Sequence, residues 1–446
     1  MRLLALLLFS SPHAPLLALS LALIVFLPPH FAIDLAMPLA EVSALFMAVR
    51  LFDVAIGPLL GQAQDATRTP LGRRRLWLAG SALAAAAFVW LAFAGLGAPL
   101  RWTVGLAVLV ALYASFAAAM IAHLSWAGEL RQDYHGRTVV LGAVQAAGTV
   151  GQLLLLALAA LAAWGAAGEQ GAAVRAIGAA LAFSLPLCVA LAVFFVREPA
   201  NPPQPSLTFA ETLLVLAQNA PLRIVLAASL FLGIAQGVSG GLFLFFFQQR
   251  LDFGAQANLL LLIYFVGGLA GVPLWVWLGK RLGKHRALQL ACVLSAAATL
   301  CVLLVPPGAL AAAAPAMLAA GVNVGAGVFL IRAMMADVVD EDELATGAQR
   351  SGLFFGLLLT AAKLGISIGP ASYAVLALFG FDASLGAANS ASAMRALDAI
   401  FVGAPVFFYL SVFVMLRDFP IDEARQRALR TAIDQRRSRA AQQPAC

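Results

Sequence analysis

The sequence predicts an all-α polytopic membrane protein of twelve transmembrane helices in two six-helix halves. Three observations lead there. Of its 446 residues, 62% are hydrophobic and 11% charged, with a mean hydropathy of +0.93; a soluble domain carries about 25% charged residues. The apolar runs are about 20 residues long, as a bilayer-crossing helix requires, whereas barrel strands would be about 10 and alternating. The third observation is where the basic residues fall.

In hydrocarbon the backbone must satisfy its own hydrogen bonds, so each run is read as a helix, and the abundant Ala and Leu favour one. Spans are expected near 14–37, 40–62, 77–97, 102–123, 138–163, 173–196, 222–248, 258–279, 287–306, 309–335, 351–379 and 395–416. The first contains Pro28 and Pro29 and is expected to kink or break there. Met1, Arg2 and the run Leu3 to Phe9 imitate a signal peptide. No A-x-A pattern follows, so an uncleaved start leading into the first span is expected. A polar connection, 197–221, holds Pro202, Pro203, Pro205 and Pro221. It separates an N-terminal half (1–196) from a C-terminal half (222–416), and a basic tail (417–446) follows.

The basic residues test this arrangement. With the N-terminus in the cytoplasm, 21 of the 28 Lys and Arg residues fall on that side. They include Arg68 and Arg73 to Arg75, Arg131 and Arg137, Lys280 to Arg286, and seven arginines from Arg417 to Arg439. The outer loops hold four: Arg101, Arg175, Arg250 and Arg395. Such a bias places both termini inside and requires an even number of spans. The loops after spans 2 and 8 are both basic, GRRR at Gly72 to Arg75 and GKRLGKHR at Gly279 to Arg286. This echo points to parallel six-helix repeats, a plan of secondary transporters.

Enzyme signatures are missing: there is no G-x-S-x-G, H-E-x-x-H or Walker loop. Cys188, Cys292, Cys301 and Cys446 are scattered, with neither disulfide-framework nor metal-ligand spacing. Net charge is +7, and its distribution follows topology, so no nucleic-acid partner is expected.

Three segments carry more. The first is Arg50-x-x-Asp53, then Gly57-Pro58-x-x-Gly61-x-x-x-Asp65-x-Thr67 and Gly72-Arg73-Arg74-Arg75-x-Trp77. The second is Gly128-Glu129-Leu130-x-x-Asp133-Tyr134-x-x-Arg137-Thr138. The third is Ala336-Asp337-Val338-Val339-Asp340-Glu341-Asp342-Glu343-Leu344-x-Thr346-Gly347, with Arg350, Gly352, Phe355 and Gly356 after it. The loop 2–3 stretch alone resembles the signature of the major facilitator superfamily. Together the three resemble the glycoside–pentoside–hexuronide:cation symporter family, typified by the melibiose permease, over about 14 to 416. The resemblance implies the major facilitator fold. It also implies sugars or sugar acids moved with Na⁺, Li⁺ or H⁺ by alternating access; a eukaryotic branch moves lysophospholipids. Gly61, Asp65, Gly72 and Arg73 to Arg75 then read as a gate. The acidic run, through Asp337 and Asp340, reads with Arg350 as part of that gate and is expected to pair with cytoplasmic arginines such as those of loop 2–3 or 8–9; the bland alternative is a solvated loop.

This chain also departs from the family. The family's span 2 offers two carboxylates one turn apart; Asp53 matches the first, and Gly57 stands at the second. Met120 stands where span 4 can supply another acid, and no acid lies around Leu17 to Leu19. Lys363 matches the family's intramembrane lysine. Asp53, facing Arg50 and Lys363, reads either as a proton carrier or as a structural partner of Arg50. Charge at membrane depth is expensive and by default functional.

Softer candidates follow. Gln145, Gln152, Gln236 and Asn323 are polar groups within spans that read either as facing a central cavity or as joining helices, Gln145 and Asn323 being the stronger cavity candidates. His30 and Asp34, one turn apart, read as a protonatable pair or merely wet residues. Trp126 and Tyr134 read as interface anchors, Asp398 as reaching the outer interface, and Gly233 to Gly241 as close helix packing or a flexible span 7. The expectation is a cation- or proton-coupled transporter of sugars or related small solutes, with no cofactor beyond H⁺ or Na⁺. Its partners are a small-molecule substrate and membrane lipids, the chain a monomer in a bacterial inner membrane. The alternatives are a lysolipid or amphiphile carrier and a non-transporting receptor on a transporter fold.

Overall fold

A computed structural model describes residues 3–98, 100–131, 133–165, 172–199, 208–368, 371–381 and 389–442. The described chain is helical. The helices of the first half are α1 (Leu3–Ser10), α2 (His13–Val25), α3 (Leu27–Ile33), α4 (Leu39–Ala66), α5 (Arg73–Trp90), α6 (Trp102–Leu130), α7 (Tyr134–Gly165) and α8 (Ala172–Phe195). Then come α9 (Phe209–Gln218), α10 (Ala220–Leu244), α11 (Ala257–Leu282), α12 (Lys284–Cys301), α13 (Leu310–Thr346), α14 (Ser351–Ser367), α15 (Ala371–Leu378), α16 (Ala391–Asp398), α17 (Ala404–Met415) and α18 (Glu423–Gln442).

Among the described residues, 11 stretches are long and apolar enough to cross a membrane. The expected span 351–379 is α14 followed by α15, with 369–370 outside the described residues. Pro202, Pro203 and Pro205 lie outside them too. The connection that follows contains α9, whose start is closed by a capping box: Thr208 and Glu211 bond each other's backbone N–H, satisfying two donors that the helix leaves open.

The first span starts at Leu3, not near residue 14, because α1 and α2 run on from one another. They are separated by a turn at Ser11–Pro12. Pro12 has no N–H to offer the Leu8 carbonyl, and the Ser11 hydroxyl donates to it instead at 2.9 Å. The helix is broken beside Pro28 and Pro29, as expected: α2 ends at Val25 and α3 starts at Leu27. Both prolines sit in the first turn of α3, where their missing N–H groups cost nothing.

The chain forms two compact units. The first comprises Met1–Gln132, Ala143–Leu207 and Gln349–Gly356; the second comprises Asp133–Gly142, Thr208–Ala348 and Leu357–Cys446. The start of α7 thus belongs with the second unit, and the start of α14 with the first.

Within the first unit, the start of α14 crosses α4 backbone to backbone. A Cβ on Gly61 would lie 2.2 Å from the Gly352 carbonyl oxygen, and one on Gly356 would lie 2.7 Å from that of Gly57. Two glycines four apart on each helix make this approach possible. Gly57 is therefore part of a helix crossing, where the family's second carboxylate was expected. In the second unit, α10 is equally tight: Cβ atoms on Gly233 and Gly237 would meet the carbonyls of Ala362 and Ile366 at 2.5 and 2.6 Å.

The sequence echo of the two halves is also a conformational one. Gly72 precedes α5 at φ 94°, ψ 143°, and Gly283 precedes α12 at φ 86°, ψ 156°. Only glycine enters this region readily. Each is followed by a buried basic residue, Arg73 and Arg74 in one unit and Lys284 in the other.

Candidate functional site

In the first unit, Arg74 is 0% exposed. Its guanidinium bonds Asp65, Glu129 (Nη2 at 3.0 Å, Nε at 3.2 Å) and the Ser351 hydroxyl at 2.6 Å. Ser351 also bonds Glu129, and Arg73 reaches Glu129 at 3.3 Å. Two arginines thus face two carboxylates, a balance that burial demands. The Asp65 carboxylate also accepts the backbone N–H groups of Gly352 (3.0 Å) and Leu353 (2.9 Å). These are donors left open at the start of α14, where the helix dipole favours an anion.

A second carboxylate closes the loop 2–3 turn. Glu198 accepts the backbone N–H groups of Arg74 and Arg75, both at 2.9 Å, capping α5. A Cβ on Gly72 would lie 2.3 Å from a Glu198 carboxylate oxygen, so Gly72 supplies both the turn and the space. Burial pushes the Glu198 carboxyl above its ordinary value, against the two N–H groups that pull it down. The Arg75 guanidinium bonds the Val193 carbonyl.

The second unit holds a network of its own. Arg137 donates to Asp337 (3.0 Å), to Asp340 (2.6 and 2.9 Å) and to the Ala336 carbonyl (3.0 Å). Lys284 pairs with Asp337 and lies 3.9 Å above the Tyr134 ring. The Tyr134 hydroxyl accepts the Lys284 backbone N–H at 2.7 Å. Arg430 of α18 reaches Asp340 at 3.0 Å. The acidic run is therefore no solvated loop. It continues α13, with Asp337 and Asp340 both 1% exposed. Arginines were expected as its partners, but the one from loop 8–9 is a lysine, Lys284, and the loop 2–3 arginines Arg73 and Arg74 bond Asp65 and Glu129 instead.

The interface-anchor reading of Trp126 and Tyr134 is corrected by their burial: 0% and 3% exposed, they face protein, and Trp126 packs edge-on against Phe9. The tail is likewise more than a surface segment. Leu429 and Ile433 of α18 are buried, while Arg425 and Arg427 face out.

The remaining candidates are spread along the helices. Asp53 is buried on α4 and Arg50 half-buried, with Tyr113 of α6 in Coulombic reach of both. Lys363 is half-buried on α14, in the second unit. Gln145 is buried on α7, where Thr149 bonds its carbonyl at 3.2 Å. Asn323 is buried on α13 and donates to the Ala319 carbonyl at 3.1 Å. Arg350 is buried beside the start of α14. His30 Nδ1 lies 2.7 Å from Asp34, and Arg250 pairs with Asp398 at 3.0 Å.

Glu129, Ser351, Glu198, Arg137, Lys284 and Tyr113 were not singled out as site residues from sequence. Glu129 and Arg137 stood within the second of the three segments that carry the family resemblance, which was the available signal. Glu198 had none, being an acid at the end of a span.

Apolar helices of membrane length and two helical units with buried charge networks at their helix starts define a polytopic membrane protein of the major facilitator fold. The family described as MFS/sugar transport protein matches residues 8–423, and the chain belongs to it. It is 27% identical over 248 residues to the sodium-dependent lysophosphatidylcholine symporter 1-A of Danio rerio, covering 54% of this chain and 46% of that one. It is 26% identical over 236 residues to the glucuronide carrier protein homolog of Escherichia coli K12, covering 52% and 51%. The chain thus spans about half the length of these curated relatives. Among solved structures it is similar to FucP, a major facilitator transporter in the outward conformation: TM-score 0.65, 15% identity, 94% of this chain and 99% of that one. That likeness concerns the fold.

Proposed function

We propose that the protein is a secondary active transporter that moves a sugar or related small solute with a coupling cation by alternating access. The observation that carries this reading is the Asp65–Arg74–Glu129–Ser351 cluster. It binds the start of α14 to the loop 2–3 turn through pairs that can break and re-form, as a gate requires. Membership of a sugar transport family and the likeness to a glucuronide carrier support the cargo class. No group in the described residues is assigned catalytic work. Basic residues gathered on one side support a bacterial inner membrane with both termini cytoplasmic, and the chain is read as a monomer among lipids.

The coupling ion is read as H⁺ rather than Na⁺. A hard cation needs several oxygens, and Asp53 has Gly57 and Met120 where the family has further acids. A buried carboxyl can carry a proton by itself. The test is uptake into proteoliposomes of a panel of sugars and sugar acids under imposed Na⁺ or H⁺ gradients. Accumulation driven by the H⁺ gradient, and lost in Asp53→Asn, is expected. Accumulation that survives Asp53→Asn with its pH dependence intact removes Asp53 from coupling.

A second reading, a lysolipid or amphiphile carrier, is favoured by the Danio rerio relative and by the few charged groups within the spans. Flux of a lysolipid with no accumulation of any sugar would select it. No flux of either would leave a receptor on a transporter fold.

A further inference from the structure

The second unit carries a surface that the networks above do not use. On α17 the exposed residues Phe407, Leu410 and Val414 recur at steps of three and four. The next such step reaches Arg417, in the turn that closes the helix. On α12 the exposed residues Val293, Leu294 and Leu300 share a face with Arg286, which lies seven residues before Val293. Seven residues are nearly two helical turns. Each helix therefore shows a stripe that is apolar along its length and ends in an arginine.

The two arginines come to the same end. α12 packs against α17. The Gln289 side chain donates to the Phe413 carbonyl at 2.9 Å, and the His285 ring lies 6.1 Å from that of Phe419. Pairing 289 with 413 and 285 with 419 means that the helices run antiparallel. Arg286 precedes Gln289 by one turn and Arg417 follows Phe413 by one turn, so the register sets both arginines at the end where α12 starts and α17 stops.

The local charge is positive. Both arginines are exposed, and neither pairs with a carboxylate among the described residues. Lys280 and Arg281, at the end of α11, add two more exposed cations. Against them stand Asp418 and Asp422, and Asp422 accepts the Arg425 N–H at 2.8 Å, at the start of α18. Two of the arginines rest on aromatic rings: Arg417 lies 5.2 Å above Phe413 and Arg281 5.3 Å above Trp277. A guanidinium held over a ring keeps its N–H edge for an oxygen ligand, and its fork matches a phosphate.

Such a surface suits one kind of molecule. Apolar stripes on membrane-spanning helices face hydrocarbon, and basic residues at their ends meet the headgroup layer. A zwitterionic headgroup would bring its own ammonium beside these cations, whereas an anionic one brings only negative charge. We propose that Arg286 and Arg417 hold the phosphate of an anionic phospholipid whose acyl chains lie along the α12 and α17 stripes. The site does not depend on the transport reading, because it lies on the lipid-facing side of these helices and is filled whatever the cargo.

The test is native mass spectrometry of the full chain released from bilayers of equal parts phosphatidylglycerol and phosphatidylcholine with the same acyl chains. The expected result is a phosphatidylglycerol retained in preference to phosphatidylcholine. Arg286→Gln/Arg417→Gln should weaken that retention about thirtyfold, as removal of two arginines near a headgroup implies. Arg425→Gln/Arg427→Gln removes the same charge from the outward face of α18 and should leave it unchanged. Equal retention of the two lipids, or equal loss in the two double variants, overturns the site. Displacement by excess inorganic phosphate would overturn it in favour of a soluble anion. A dimer mass without bound phospholipid would overturn it in favour of a second copy of the chain on the stripes. Should the double variant fail to fold, the wild-type melting midpoint decides: it should rise more with phosphatidylglycerol than with phosphatidylcholine, and equal rises refute the site. No solute is added, so the result is independent of the uptake assay that tests transport.

Discussion

Asp65 caps the helix that carries Leu353: one carboxylate oxygen accepts the Leu353 N–H at 2.9 Å, and the other accepts the Gly352 N–H at 3.0 Å. The same carboxylate bonds Arg74, so one side chain on α4 holds both the start of α14 and the loop 2–3 turn. Asp65→Asn keeps the size but loses the charge, and its amide presents donors where N–H groups already point. Breaking a buried pair from one side costs about 3–5 kcal/mol. The expected outcome is a clear fall in thermal unfolding midpoint, read by tryptophan fluorescence, together with loss of any flux that the reconstituted protein supports.

Gly61→Ala should be among the most damaging single-methyl additions. Its Cβ would meet backbone, the Gly352 carbonyl at 2.2 Å, which cannot move aside as a flexible side chain would. Overpacking of this kind costs about 1–3 kcal/mol. Gly80→Ala, on α5 with nothing within 4 Å, should instead gain up to about 1 kcal/mol from helix propensity. Comparing the two melting midpoints checks the crossing directly; equal midpoints would refute it.

Glu198 gives a pH dependence with a definite sign. Its carboxyl is raised above the ordinary 4.5, first by burial. The folded state therefore binds its proton more tightly than the unfolded chain does. The stability this provides is full below about 4.5 and is lost as pH rises through the raised value. Glu198→Gln should remove that slope, seen as a flatter melting-midpoint profile from pH 4 to pH 7. An unchanged slope would assign it to another group.

Arg137 and Asp340 should be strongly coupled. Arg137→Ala leaves Asp337 and Asp340 buried with less positive charge and is expected to cost about 3–5 kcal/mol. Arg137→Lys should recover only part, since a lysine cannot reproduce the two-pronged contact with Asp340. Adding Asp340→Asn to Arg137→Ala should lose less than the sum of the two single changes. A double-mutant cycle on unfolding midpoints measures this, and strict additivity would exclude the pairing.

How far the site was legible depended on whether the signal was local. Gly72 could be read as a turn glycine because turn chemistry acts within a few residues. Asp65 could be placed near helix ends, but that its partners are the N–H groups of Gly352 and Leu353, 287 and 288 residues away, has no local signature. Gly57 shows the limit most clearly. In sequence it is an absent carboxylate; in the fold it lies where α14 presses against α4.

By itself the sequence determined the helical membrane class and the echo of two glycine turns, Gly72 and Gly283, each leading into basic residues. Hydrophobic length, helix propensity and charge placement are properties of each segment alone. Only the tertiary structure decided which charges neutralise one another: Arg74 with Asp65 and Glu129, Lys284 and Arg137 with Asp337, Glu198 with the start of α5. In a low-dielectric interior a charge is tolerable only beside its partner, and partners are chosen by packing, across distances in sequence that no window of residues can span.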